Sequence, residues 1–314
     1  MREQIAVTKA YGEALITLAR KDERVFVVDA DLSRSCGTDL FAKEFPDRWV
    51  QVGLAEQNMV SLAAGLASCG KVPFTNTFGV FASRRVCDQV AISVALNRFN
   101  VKLCGTSSGL TGALNGPTHQ ALEDVAIIRS LPNMVIVEPG DTLELAQAVD
   151  AVAAYDGPVY LRLARGTMPR CLPEGNRFVL GKAAQLRDGG DVTLIGAGIM
   201  VPTLLDAAAM LAEMGISARV LNLSTIKPLD AEAVLKAAEE TGAIVTAENH
   251  NIIGGLGGAV AELLVEECPV PMRRIGVRDS FGETASQPWL LEKYGLTAPR
   301  VVEAARQAIE KKRR

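Results

Sequence analysis

The apolar positions of this chain switch repeatedly between two periods. Helical spacing over 8–20 predicts a helix, and a short apolar run at 25–29 predicts a strand. The alternation continues with strand 50–52, helix 58–67, strand 72–75, helix 83–96 and strand 101–104. Helix 122–130, strand 134–137 and strand 159–163 complete the first series. A second series holds strand 192–195, helix 202–214 ended by Gly215, and strand 218–221. It closes with a helix entered at Pro228 and Asp230, strand 243–247 and helix 257–267. Short strands alternating with helices imply βαβ units. The expected class is α/β, with two domains, each a mainly parallel sheet flanked by helices.

The stretch 166–190 breaks the alternation and gathers Pro169, Pro173, Gly175, Gly181, Gly189 and Gly190. It reads as an interdomain linker with short extended pieces. The boundaries expected are 1–168, a linker over 169–190, and 191–314. Asp141 followed by Glu144 reads as a capping box, and Asp230 as a helix cap. The first residues, MREQIAVTKAYGEAL, read as the start of a helix. GAGIM (196–200) is half a dinucleotide fingerprint without its third glycine or acidic partner, so it does not predict NAD binding. GGLGG (254–258) suits a tight turn and close helix packing, with His250 before it structural or at an interface.

A chain of 314 residues with net charge −3 fits two packed domains and argues against nucleic acid as a partner. No apolar stretch reaches the length of a membrane span, and the N-terminus lacks the apolar core of a signal peptide. Six cysteines are scattered without a C-x-x-C pair, which favours reduced thiols and gives no metal site. The cytoplasm is the expected compartment. The KKRR end (311–314) reads as a solvated helix tail.

Glu56 lies inside GLAEQNM (53–59), where the extended segment 49–53 gives way to a helix. A carboxyl buried at such a junction is costly without a partner. Two readings stand. It can be a salt-bridged helix N-terminus, or a carboxyl bonding a ring nitrogen, as thiamine enzymes require. Further on, GLTGALNGPTHQ (109–120) follows the extended run 100–106 and carries His119, one of two histidines. Between these motifs lie Phe78 and Phe81. Ordinary core aromatics and a loop histidine bonding backbone are the plain alternatives for these three.

In this order the three elements resemble the pyrimidine-binding domain of transketolases, and 223–230 with 246–260 resembles their C-terminal domain. The resemblance covers nearly the whole chain. It implies that Glu56 bonds N1′ of thiamine diphosphate and triggers ylid formation, that Phe81 stacks on the aminopyrimidine, and that Phe78 packs nearby. His119 would bond substrate oxygens and shuttle a proton. Ser35 and Arg165 match positions that hold a sugar phosphate. Asp31 matches an acidic position beside the cofactor, with an N-cap or loop role as the alternative. The implied reaction moves a two-carbon ketol unit from a ketose to an aldose.

Three positions depart from the family pattern. Thr8 stands where an arginine is usual, Ser107 where a histidine is usual, and Asn115 where an aspartate is usual. A branched, modified or differently anionic ketose is therefore expected, with Lys9 and Arg34 as sources of substitute charge. The chain has no GDG motif, which the family uses to hold the diphosphate through Mg²⁺. The resemblance thus implies a separate diphosphate-binding subunit, the layout of split transketolases, and an α₂β₂ heterotetramer. The alternatives are the beta subunit of a 2-oxoacid dehydrogenase, half of a deoxyxylulose-phosphate synthase, and a non-enzymatic scaffold. GPTHQALED (116–124) fits a transketolase better than the dehydrogenase.

Overall fold

The computed structural model describes residues 2–312. Its strands, in chain order, are β1 (Gln4–Ala6), β2 (Val25–Asp29), β3 (Trp49–Gln51), β4 (Val72–Phe78), β5 (Lys102–Thr106), β6 (Val135–Val137), β7 (Val159–Arg162), β8 (Thr167–Pro169), β9 (Ala184–Arg187), β10 (Val192–Gly196), β11 (Ala218–Asn222), β12 (Thr225–Lys227), β13 (Ile244–Asn251) and β14 (Met272–Val277). Seven form one sheet in the order β12-β6-β7-β5-β4-β2-β3, and five form another in the order β14-β13-β10-β11-β9. Both are parallel except at one edge, where β12 and β9 run antiparallel to their neighbours. The α/β architecture with two mainly parallel sheets follows the sequence pattern. Every residue of β4 is buried, as a strand covered by helices on both faces requires.

Several elements differ from expectation. The N-terminus begins with β1, which pairs antiparallel with β8 inside the stretch read as linker. β9 lies in the same stretch and edges the second sheet. β12 follows β11 in sequence yet joins the first sheet, with Thr225 opposite Val137. Lys227 anchors this crossing by donating to the carbonyls of Arg129 (2.9 Å) and Leu131 (2.6 Å). The expected helix 83–96 is two wide turns, Phe81–Arg85 and Gln89–Ala95, wound with i→i+5 spacing. Asp141 does cap the helix Thr142–Ala154, accepting from Leu143 and Glu144 amides at 3.0 Å. Glu144 does not close a box on Asp141. It accepts from Gly140 N at 2.6 Å and from Asn222 and Ser224 of the second half. Asp230 caps its helix through Ala233 N at 3.3 Å. Of the basic tail, Arg313 and Arg314 lie outside the described residues. Lys312 is more than a solvated end, because its Nζ donates to Thr241 O at 2.6 Å.

The two halves meet over a buried ionic cluster. Arg162, at the end of β7, is fully buried and pairs with Asp124 at 2.8 Å and Glu138 at 2.7 Å. It also donates to the Asn249 carbonyl of β13 at 2.9 Å. Burial pushes the Asp124 carboxyl up, but the Arg162 charge and hydrogen bonds outweigh it and hold the group below its ordinary value. Glu138 stays raised by burial, because it receives a single Arg162 hydrogen bond and faces the charge of Asp124.

His250 sits in the same cluster and is structural, as GGLGG and its neighbours suggested. Its Nδ1 donates to Asn251 O at 2.6 Å and its Nε2 accepts from Ala126 N at 3.4 Å, which assigns a neutral ring. Burial pushes it down to about 4, although Asp124 pulls the other way. Folding with a depressed histidine contributes stability present above about pH 6.5 and lost as pH falls towards about 4. Neighbouring Glu248, pushed up to about 7 by burial, acts oppositely, its contribution falling as pH rises from about 4.5 to about 7. The expected result is that His250→Gln loses less stability than the unaltered chain between about pH 6.5 and about pH 4, read from urea midpoints. Parallel curves for the two proteins would contradict this assignment.

Candidate active site

The loops after β2, β4 and β5 converge at the carboxyl ends of the first sheet, where ligands bind in open α/β folds. Glu56 opens the helix Glu56–Ser68, two residues earlier than the apolar pattern indicates. It is 1 % exposed. Arg85 donates to its Oε1 at 2.7 Å, while Oε2 is buried without a partner among the described residues. The salt-bridged reading of this glutamate holds at Oε1, and Oε2 is left available to another group. Arg85 also lies 4.1 Å from the centroid of the Phe81 ring.

Phe78, Phe81 and His119 form one aromatic cluster. The Phe78 and Phe81 centroids are 6.2 Å apart, and the His119 ring meets their edges at 5.9 and 5.4 Å. Thr118 Oγ1 lies 2.7 Å from His119 Nδ1 and orients the imidazole. Arg165 joins from the loop after β7, its guanidinium 5.9 Å from the Phe78 centroid and its Nη1 buried without a partner. Ser107 follows β5 with a left-handed φ of 56°, and its buried hydroxyl has no partner either. Buried polar groups are almost always paired within a folded chain. Here Glu56 Oε2, Ser107 Oγ and Arg165 Nη1 are exceptions among residues singled out from the sequence.

The remaining candidates stand apart from this contact chain. Asp31 is exposed in a left-handed turn (φ 62°), its amide held by Gln51 Oε1 at 2.8 Å. Asp29 is the buried acid of that segment, accepting from Leu32 N and Thr38 Oγ1 at 2.7 Å, and burial raises its pKa. Ser35 is half-buried on the short helix Ser33–Cys36, and Arg34 beside it is exposed. Thr8 is half-buried at the start of the helix Val7–Lys21. Its carbonyl would overlap a Cβ at Gly37, whose φ of 84° admits only glycine without strain. Lys9 is exposed, its Nζ 3.8 Å from the exposed Glu13 carboxylate. Asn115 is exposed at the end of the tight turn Gly109–Asn115, where Ala113 is strained at φ 40°.

A cleft of about 700 Å³ adjoins the cluster, lined by Phe81, Arg84, Arg85, Pro117, His119 and Phe281. Phe281 comes from the second half and is 78 % exposed. Its loop is strapped to the His119 loop, since Gln120 Nε2 donates to Glu283 O at 2.8 Å. Sequence reasoning missed Arg85, Phe281 and Arg162. Arg85 carried a usable signal, four residues after Phe81 on a helical pattern. Phe281 carried another, a lone aromatic in a polar turn. Among the described residues, no three His, Cys, Asp or Glu side chains are grouped to hold a metal, and no helix is long and apolar enough to cross a membrane.

Glu56 Oε2 and the Phe81 ring are the groups here that could hold a flat heteroaromatic ring. Comparison with known proteins gives the family. Residues 3–170 match the family described as "Transketolase, pyrimidine binding domain", and residues 181–301 match "Transketolase, C-terminal domain". The chain is 52 % identical over 302 residues to a 6-deoxy-6-sulfo-D-fructose transketolase subunit of Clostridium sp. (strain MSTE9), covering 96 % of this chain and 94 % of that one. It is 40 % identical over 308 residues to an apulose-4-phosphate transketolase subunit of Phocaeicola vulgatus, covering 98 % of each. A solved structure described as "Split gene transketolase, inactive beta4 tetramer" superposes with a TM-score of 0.92 at 45 % identity, over 98 % of this chain and 99 % of that one. The chain belongs to the transketolase family, with the two-domain layout of a split transketolase's second subunit.

Proposed function

We propose that this chain is the second subunit of a thiamine-diphosphate-dependent transketolase, active only with a separate diphosphate-binding subunit in an α₂β₂ assembly. The observation that carries this reading is the buried, unpartnered Glu56 Oε2 within one contact chain with Phe81 and His119. Thiamine diphosphate supplies the nucleophilic carbon that breaks and remakes a bond beside a carbonyl. Glu56 would hold the ring nitrogen through Oε2, with Oε1 fixed by Arg85. Phe81 would pack on the ring, with Phe78 supporting Phe81. His119, oriented by Thr118, bonds the substrate oxygen and moves its proton. Arg165 offers a free guanidinium N–H to the anionic end of the sugar, and Ser107 a free hydroxyl. Mg²⁺ and its oxygen ligands belong to the partner subunit. Asp31, Ser35 and Asn115 remain weaker candidates, outside that contact chain. A cytoplasmic location is part of this reading.

The substrate class we favour is a modified or branched anionic ketose. Thr8, Ser107 and Asn115 replace the usual polar contacts, and relatives are named for 6-deoxy-6-sulfo-D-fructose and for apulose 4-phosphate. The test is to mix the chain with a diphosphate-binding subunit, thiamine diphosphate and Mg²⁺, then follow two-carbon transfer from a donor panel. The panel includes xylulose 5-phosphate, 6-deoxy-6-sulfofructose and apulose 4-phosphate. Transfer in the full mixture only, at least about tenfold faster with a modified ketose, is the expected result. Highest rates with xylulose 5-phosphate would remove the substrate reading and leave the transketolase. Carbon dioxide release from pyruvate with a lipoyl acceptor, and no transfer, would replace it with the dehydrogenase.

A further inference from the structure

β14 edges the second sheet, and between it and the helices Gln287–Lys293 and Ala298–Lys312 lies a hollow of about 300 Å³. One wall is a single stripe of the last helix, with Arg300, Glu303, Ala304 and Gln307 at three- and four-residue spacing. The other wall brings Arg273, Arg274 and Arg278. Arg300 pairs with Glu303 at 2.9 Å. The others bond neutral oxygens among the described residues. Arg273 Nε donates to Gln307 Oε1 at 3.1 Å, Arg274 Nη1 to Ile252 O at 2.8 Å and Arg278 Nη2 to Arg274 O at 3.2 Å. Elsewhere in this acidic chain, Arg20, Arg24, Arg129 and Arg219 reach carboxylates, while Arg48 bonds backbone carbonyls. The hollow thus concentrates guanidinium charge that one glutamate does not balance.

A guanidinium fork meets phosphate oxygens with paired, charge-assisted hydrogen bonds. Guanidinium groups gathered around a small hollow repel one another unless an anion joins them. The hollow is at the lower end of the size range for small-molecule sites. Tyr294, which lines it, donates its hydroxyl to Phe281 O at 2.9 Å, so the loop that lines the catalytic cleft is anchored at this second pocket. We propose that this hollow is an anion site distinct from the catalytic cleft, taking a phosphate group of a small molecule.

The test is calorimetric titration of the full chain with inorganic phosphate and with pyrophosphate at constant ionic strength. Saturable binding of pyrophosphate is expected, weakened at least about tenfold in Arg273→Gln and in Arg278→Gln and unchanged in Arg165→Gln. These side chains are partly exposed, so the variants fold, and circular dichroism verifies it. Absence of saturable heat, equal affinity in the Arg273 and Arg278 variants, or loss only in Arg165→Gln would each overturn the proposal.

Discussion

Replacing Glu56 by glutamine lowers two-carbon transfer by at least about a thousandfold in the complete two-subunit mixture, within the range expected when a positioned proton donor is lost. The amide oxygen of the new side chain can still accept from Arg85, so local structure is kept. What changes is the second atom, where an oxygen without a partner becomes an NH₂ that can only donate. A ring nitrogen needing a carboxyl proton finds none. Stability should barely move, because Arg85 is 45 % exposed and an ion pair with one partner in water is worth roughly 1 kcal/mol or less. The measurement is kcat with saturating thiamine diphosphate, beside a thermal melt of the same preparation. More than a tenth of the original kcat would sink the assigned role of Glu56. A large fall in melting temperature would mean that the ion pair, and not the free oxygen, is what the residue provides.

The largest stability effect is expected at Arg162. Its guanidinium is 0 % exposed and reaches Asp124, Glu138 and the carbonyls of Ala121 and Asn249. Arg162→Met removes one charge and leaves two carboxylates buried, which costs roughly 3–5 kcal/mol in comparable cases. Tyr160, donating to Asp124 Oδ2 at 2.7 Å, cannot substitute for a charge. The loss appears as a lower urea midpoint with an unchanged slope. If Arg162→Met fails to yield soluble protein, the triple variant Arg162→Met, Asp124→Asn, Glu138→Gln supplies the comparison. Removing the stranded carboxylates together should recover part of the stability. A midpoint shift worth less than about 1 kcal/mol in the single variant would show that the cluster is not an energetic tie between the halves.

Local pattern was enough for much of this molecule. The α/β class followed from strand and helix periods, which are properties of neighbouring residues. Strands β2, β4, β5, β7, β10 and β11 lie close to where apolar runs placed them. Asp141 and Asp230 were readable as caps because a cap acts within one turn. Glu56, Phe78, Phe81, His119, Ser107 and Arg165 were singled out because motifs keep their spacing along the chain. Strands β1, β8 and β12 were not legible, although β3 and β6 are equally short, because they are fixed by pairing with segments far along the chain. The i→i+5 winding of 81–95 was also hidden, because it keeps nearly the same apolar spacing as an ordinary helix.

The sequence alone therefore determined the order of elements and the residue types available for chemistry. The tertiary structure decided which of them meet. It set Arg85 against Glu56 and left one carboxylate oxygen free. It passed β12 from one half into the sheet of the other, and drove Arg162 into a cluster shared by both. It brought Phe281 to a cleft whose other walls lie far back in the chain. Each of these is a contact between segments distant in sequence. Periodicity and propensity act over a few residues. Such contacts are selected by the burial of both halves at once, when a charge or ring must find its partner across the fold or remain unpaired.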